Sequence, residues 1–301
     1  MDKPSPDMHR SPLRKGFALF VTLSVLAVMI SLAGVLVSYL DIARKDATQT
    51  EAVIQANIYF SDTKDILTKF KDKKALYSIL YTTPLPLQLE DSEFALILTC
   101  RPLNNGVNIN WLQYESSNNP LKQTRYNTAQ KVFDAVAQKY EIEDPALLEE
   151  MILSKHALTR LTQKNDIMSY RQFIQLLSDY QFEADDRKIG EIPWEKYFVF
   201  TPPSKSPESD MIEGDYLSAD LLSILFDIDI QTLNEEWSEG EGAFKTLMKK
   251  YGIEYDKKLY AEAFINRSRC DVSYIFNKKQ FRFAFSDEEG EVKDFEFYGE
   301  E

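Results

Sequence analysis

The sequence predicts an α+β fold in which one long N-terminal helix packs on a small antiparallel sheet, with a large all-helical region inserted between the strands. Three observations predict it. Residues 17–40 carry no charged side chain, which favours a long apolar helix. Residues 271–298 contain short runs in which aromatic and polar residues alternate, which is typical of half-buried strands. The region between a first strand and these runs has apolar residues at helical spacing.

The overall composition argues against two classes of function. The chain has 301 residues and a net charge of −13, so its surface repels nucleic-acid phosphates, and no basic stripe offsets this charge. The sequence contains no Gly-x-Ser-x-Gly, HExxH or phosphate-binding loop. One of its two histidines, His9, lies in the N-terminal segment, and a lone His156 next to Lys155 is typical of a surface residue. We therefore expect neither a nucleic-acid-binding protein nor an enzyme.

Residues 17–40 are long enough to cross a membrane. A helix of this length spans about 36 Å at 1.5 Å per residue, and the hydrocarbon core of a bilayer is about 30 Å thick. No Ala-x-Ala cleavage site follows the segment, so it reads as an anchor and not as a secretory signal peptide. Four cations precede it, which predicts a cytoplasmic N-terminus and a domain outside the membrane after residue 45. These cations are Lys3, Arg10, Arg14 and Lys15.

The same helix is expected to continue beyond the membrane. Apolar or small residues recur at helical spacing and predict one face of an amphipathic helix that lies on the sheet. These residues are Ala43, Ala47, Thr50, Ile54 and Ile58. Ile66, Leu67 and Phe70 extend the pattern, and the lysines that follow, up to Lys74, suit a helix C-terminus.

The remaining elements are predicted from local periodicity. The four strands are expected at residues 94–100, 271–276, 280–285 and 292–298, with the last three forming a meander. About 170 residues separate the first strand from the second. Helices are expected at residues 127–140, 146–158, 169–180, 219–226, 242–251 and 259–264. Pro202, Pro203 and Pro207 mark a surface loop.

The junction at the start of the apolar helix carries the most specific signal. A short basic leader that ends in Lys15-Gly16, followed by Phe17, resembles the type III signal of type IV prepilins and pseudopilins. This resemblance implies that the prepilin peptidase cleaves between Gly16 and Phe17 and methylates the new N-terminus. Most pilins have Glu at the fifth mature position, where this chain has Val21. Lack of that Glu is characteristic of the K-type minor pseudopilin of type II secretion systems.

Two internal segments are also similar to this family. Residues 105–110 resemble its glycine-then-INxN segment after the first strand, and residues 214–222 resemble the start of its second helical subdomain. A large helical insertion in a pilin-like domain further distinguishes the K-type subunit. The resemblance implies a leader at 1–16, a transmembrane helix at 17–40, a first pilin-like part at 41–110, an inserted helical domain at 111–265 and C-terminal strands at 266–301.

The resemblance also implies a location, partners and a role. The expected location is the bacterial inner membrane, with a single pass, a cytoplasmic N-terminus and a periplasmic domain. The expected partners are the I- and J-type minor pseudopilins, the prepilin peptidase, the inner-membrane assembly platform and membrane lipid around residues 17–40. The implied role is to initiate and cap a secretion pseudopilus. Two alternatives remain: a minor pilin of a type IV pilus or DNA-uptake system, and a signal-anchored extracytoplasmic scaffold or binding protein.

Two further side-chain sets are candidates for a structural role. Cys100 and Cys270 lie on the two strands that flank the insertion, and they form either a disulfide or two buried thiols. Some K-type subunits bind calcium through clustered acids. The candidates here are Asp227, Asp229, Glu235, Glu236, Asp287, Glu288 and Glu289. None of them follows the order of a calcium loop, so a solvated acidic surface is the preferred interpretation and no cofactor is predicted.

Overall fold

A computed structural model describes residues 13–88, 95–155, 166–202 and 210–300 of the chain, and it has the predicted α+β architecture. The described helices are α1 (Leu13–Lys69), α2 (Lys73–Thr82), α3 (Pro120–Tyr140), α4 (Pro145–Lys155), α5 (Tyr170–Ala184), α6 (Ala219–Phe226), α7 (Ile230–Glu236) and α8 (Ala243–Tyr251). The described strands are β1 (Leu85–Gln88), β2 (Ala95–Pro102), β3 (Val107–Asn108), β4 (Phe198–Val199), β5 (Arg267–Phe276), β6 (Lys279–Glu288) and β7 (Glu291–Glu300).

The main sheet has five antiparallel strands in the order β1-β2-β5-β6-β7. Strands β5, β6 and β7 form the predicted meander, in which Phe281, Phe283 and Phe285 point to one buried face. Strand β2 pairs directly with β5, although most of the helices lie between them in sequence. The β2–β5 pair is therefore the base from which the helical insertion leaves the sheet and to which it returns.

Helix α1 packs on the sheet through a different face from the predicted one. The buried side chains are Ala52, Ala56, Tyr59, Thr63 and Leu67. The small alanines allow the helix backbone to approach the aromatic face of the sheet, where the Tyr274 hydroxyl donates a hydrogen bond to the Ala52 carbonyl at 2.6 Å. The predicted stripe of Ala43, Ala47, Thr50, Ile54 and Ile58 is exposed, so its assignment to the sheet was wrong.

Helix α1 ends within the run of lysines that was predicted to lie at its C-terminal end. The helix ends at Lys69, and α2 begins at Lys73 after a short break. Asp72 is the N-cap of α2, and its side chain accepts a hydrogen bond from the Ala75 backbone N–H at 3.0 Å. An aspartate at this position satisfies a helix N-terminus and so favours a new start over continuation.

The insertion has its own hydrophobic core, which is separate from the core between α1 and the sheet. It is built around large buried aromatic side chains, among them Trp111, Phe133, Phe173 and Trp194. Most predicted helices are present with shifted ends. For example, α3 starts at Pro120 because Asn119 caps it, and its side chain accepts from the backbone N–H groups of Leu121 and Lys122.

The segment 259–264 is not a helix, contrary to the sequence prediction. Its backbone pairs with Ile212 of the same chain. The Ile212 N–H donates to the Leu259 carbonyl at 2.8 Å, and the Ala261 N–H donates to the Ile212 carbonyl at 2.9 Å. Leu259 and Tyr260 are buried, so their apolar character reflects burial in an irregular segment. A six-residue apolar run does not distinguish this arrangement from a short helix.

Candidate assembly surface

The first half of α1 presents an uncovered apolar surface. The part of the helix from Leu19 to Lys69 contains a window long and apolar enough to cross a membrane, and none of that window is buried within the chain. Large apolar side chains are exposed all around it, among them Leu19, Phe20, Leu23, Leu26, Met29, Leu32 and Leu36. A helix that is apolar on every side is suited to lipid or to a packed bundle of helices.

The predicted cleavage junction lies near the start of this helix. Gly16 and Phe17 both fall within the helical backbone of α1, while residues 1–12 lie outside the described residues. Val21, at the fifth position after the predicted cleavage site, is exposed. An apolar side chain at this position adds to the uncovered apolar surface, where a glutamate would add a charge that needs a partner.

The outer half of α1 also exposes two isoleucines on the side away from the sheet. We name Ile54 and Ile58 the outer ridge. The side chains of Ile54 and Ile58 are 57% and 48% exposed, whereas Ala52 and Ala56 on the opposite side are fully buried. Helix α1 therefore packs one face on its own sheet and leaves the two isoleucines of the other side available to another chain.

Cys100 and Cys270 form a disulfide at the base of the insertion. They are directly opposite each other in the β2–β5 register, with a Cα–Cα distance of 4.0 Å, and both side chains are buried. The bond closes a loop of 170 residues, which includes the whole insertion. It therefore holds the two points of attachment of the insertion at a fixed separation.

A buried polar cluster joins α2 to the sheet beside this base. The fully buried Asp287 carboxylate accepts hydrogen bonds from the Lys73 ammonium, at 3.0 Å, and from the Tyr77 hydroxyl. The Tyr81 and Ser268 hydroxyls form a hydrogen bond at 2.6 Å. Burial, followed by the nearby carboxylates, raises the pKa of both Tyr77 and Tyr81, so both hydroxyls stay protonated.

Glu213 lies where α2 meets the insertion, and sequence reasoning did not identify it. Its side chain is buried beside Tyr81 and Tyr216. Burial, and then the charge of Asp215, raises the pKa of Glu213 to about 8, although a hydrogen bond from the Ile265 backbone N–H opposes this shift. The carboxyl group is therefore mainly protonated at neutral pH.

The acidic candidates for calcium binding are mostly engaged with other groups of the chain. Asp227 pairs with Lys131 at 3.1 Å, and Asp229 caps α7. Glu236 pairs with Lys250 at 2.6 Å, and Glu288 pairs with Arg267 at 3.1 Å. Across the part of the chain that the structure describes, no three His, Cys, Asp or Glu side chains form a group that could hold a metal ion. His156 lies outside the described residues.

Comparison with solved structures finds similar chains. No family model matches the chain, and no curated protein matches it. The chain is similar in structure to a chain of the GspK-GspI-GspJ complex from the enterotoxigenic Escherichia coli type 2 secretion system. The sequence identity is 12%, the TM-score is 0.49, and the match covers 83% of this chain and 99% of that chain.

Proposed function

We propose that the chain is a K-type minor pseudopilin that helps to initiate and cap the tip of a type II secretion pseudopilus. The observation that carries the proposal is the division of α1 into two parts. Its first part exposes apolar side chains on every side, and its second part packs one face on the sheet while the outer ridge stays exposed. This division suits a subunit that is held first by lipid and then by neighbouring helices.

The proposed role is mechanical. The helix anchors the chain in the bacterial inner membrane by a single pass, with a cytoplasmic N-terminus and the sheet and insertion in the periplasm. The disulfide between Cys100 and Cys270 supports this placement, because disulfides persist in oxidising compartments such as the bacterial periplasm. Removal of residues 1–16, which carry four cations and two acids, would change the net charge from −13 to −15.

The proposed partners follow from the same surfaces. The I- and J-type minor pseudopilins pack their helices against the apolar part of α1 and against the outer ridge. The prepilin peptidase cleaves after Gly16 and methylates Phe17, and the inner-membrane assembly platform receives the mature subunit. Val21 supports a position at the tip, because an apolar side chain there needs no partner charge from a subunit above it.

The test compares the N-terminus of the protein from cells with a prepilin peptidase and from cells without one. Protein is purified from membranes and analysed by intact mass and N-terminal peptide sequencing. We expect a mature start at methylated Phe17, and we expect the leader to be retained when the peptidase is absent. Gly16→Glu should retain the leader in both strains. Gly34→Ala is the matched control, because a Cβ at Gly34 would meet no atom of the chain within 4 Å.

A leader that stays attached in peptidase-positive cells would contradict the proposal and support the signal-anchored scaffold. Cleavage without type II partners would support the pilus or DNA-uptake alternative. A photo-crosslinking residue at Ile58 distinguishes these machines, because we expect it to capture the I- or J-type subunit when the pseudopilus assembles. The same residue at Lys64, which is exposed on a different side of α1, shows whether any capture is specific to the outer ridge.

A further inference from the structure

A groove of about 520 Å³ lies between the main sheet and the insertion, on the side of the sheet opposite α1. Four arginines line it among the described residues, and we name it the basic groove. They are Arg101 on β2, Arg269 on β5, Arg282 on β6 and Arg171 in the first turn of α5. Its volume falls in the range of about 300–1,000 Å³ that is typical of ligand sites.

The register of the sheet brings two of these cations together. Arg101 is directly opposite Arg269 in the β2–β5 pair. Like charges at such positions are destabilising unless other groups offset them. Glu195 accepts from Arg101 at 2.5 Å, and Glu296 accepts from Arg269 at 2.9 Å. The groove therefore already holds carboxylates of this chain on the guanidinium groups of its sheet.

The other two arginines differ in how firmly they are held. Arg282 forms two hydrogen bonds with one carboxylate oxygen of Asp271, at 3.0 and 2.6 Å, and its guanidinium lies 5.3 Å from the centre of the Tyr298 ring. Arg171 has a side chain that is 73% exposed, and it reaches Glu296 only at 4.0 Å. Arg171 therefore retains most of its capacity to donate hydrogen bonds to a ligand.

The charge of the groove is opposite to that of the whole chain. Its four arginines exceed by one the carboxylates that contact them, which are Glu195, Glu296 and Asp271, whereas the chain as a whole has a net charge of −13. The first turn of α5 adds the positive end of a helix dipole beside Arg171. Aromatic side chains, including Tyr170 and Phe200 with ring centres 5.1 Å apart, provide an apolar wall.

We propose that the basic groove binds a carboxylate-bearing ligand, in the form of an acidic polypeptide segment that also carries an aromatic side chain. The carboxylates would bind Arg171 and Arg282, and the aromatic ring would contact Tyr170 and Phe200. Carboxylates suit the groove because the guanidinium groups of Arg101 and Arg269 each already pair with one. Glu195 and Glu296 would oppose a more highly charged phosphate group. The inference does not depend on the proposed pseudopilin role.

The test measures binding of a peptide labelled at its N-terminus, fluorescein-Glu-Glu-Phe-Glu-amide, to the full-length chain in detergent by fluorescence anisotropy. We expect Arg171→Gln and Arg282→Gln each to weaken binding at least tenfold. Arg187→Gln removes the same charge from an exposed site that does not line the groove, and it should leave binding unchanged. Circular dichroism checks that each variant keeps the fold, and Arg171→Gln is the more informative variant because its side chain is largely exposed.

Competition with free anions identifies the source of the carboxylate. Retention of the labelled peptide in excess glutarate supports a polypeptide ligand, and displacement by glutarate supports the same carboxylate chemistry in a small molecule. Displacement by inorganic phosphate at lower concentration than by glutarate would overturn the assignment to carboxylates. No peptide binding, or equal binding by wild type and Arg171→Gln, would overturn the proposed site.

Discussion

Glu213 is a residue whose protonation is coupled to folding. Its pKa is about 8 in the folded chain, against an ordinary value of 4.5, because burial disfavours the carboxylate. Below about pH 4.5 the group is protonated in both states. As the pH rises from 4.5 to 8, the unfolded chain releases this proton before the folded chain does. Glu213 therefore lowers the free energy of unfolding over this range, and its full destabilising effect is present above pH 8.

Replacement of Glu213 by glutamine should remove this pH dependence. We expect Glu213→Gln to match the wild type near pH 4.5 and to exceed its free energy of unfolding by at least about 1 kcal/mol at pH 9, since each pKa unit corresponds to about 1.4 kcal/mol. Urea unfolding followed by circular dichroism at both pH values measures the difference. Glu235→Gln, at an exposed position, is the control. Equal stability of wild type and Glu213→Gln at pH 9 would contradict a buried protonated carboxyl group.

At the scale of the element, the buried and exposed sides of α1 should respond differently to the same substitution. Ala56 is fully buried against the sheet, whereas Ile58 on the outer ridge is about half exposed. A charge at a buried site without a partner is strongly destabilising, but a charge at an exposed site away from other features usually changes stability by less than about 0.5 kcal/mol. The same substitution should therefore separate folding from assembly.

We expect Ala56→Asp to lower the free energy of unfolding by more than about 3 kcal/mol, since it buries an unpaired charge. Ile58→Asp should leave stability nearly unchanged and reduce capture of partner subunits. Urea unfolding measures the first effect, and co-purification from membranes measures the second. Normal co-purification of Ile58→Asp would exclude the outer ridge as an assembly surface. A large loss of stability in this variant would show that Ile58 belongs to the packed core.

The sequence predicted where helices and strands occur better than it predicted which side of a helix is buried. The uncharged run of 17–40 and the alternating phenylalanines of β6 each depend on local periodicity, and both elements are present. The buried face of α1 was missed because the predicted stripe was chosen to include Ile54 and Ile58, whereas the sheet packs on the opposite side, around Ala52, Ala56 and Tyr59. The break before α2 was missed because the lysines on either side suit both a helix end and a helix interior.

Local sequence patterns also fail to predict a site whose residues are far apart in sequence. Cys100 and Cys270 could be identified as a candidate pair because Cys100 ends one predicted strand beside the insertion and Cys270 directly precedes the next. The four arginines of the basic groove lie far apart in sequence and belong to four different elements. Only the sheet register and the docking of α5 bring them together. Periodicity within one element carries no information on such a site.

At the scale of the whole molecule, the disulfide links the folding of two separate cores. One core lies between α1 and the sheet, and the other lies inside the insertion. The disulfide closes a loop of 170 residues, so it restricts the unfolded chain over more than half of its length. In the chain-entropy account, a long closed loop lowers the entropy of the unfolded state and thereby stabilises the fold.

Removal of this crosslink should lower the free energy of unfolding by about 2–5 kcal/mol. Urea unfolding of the full-length chain, with and without a thiol reductant, measures the change. A variant with both Cys100→Ala and Cys270→Ala should be less stable than the oxidised wild type and insensitive to reductant, because the sequence contains no other cysteine. Unchanged stability of the wild type on complete reduction would show that the β2–β5 pairing alone holds the base of the insertion. If reduction lowers the stability of the insertion alone, the two cores unfold separately. If reduction instead shifts a single unfolding transition to lower urea, the base of the insertion couples the two cores.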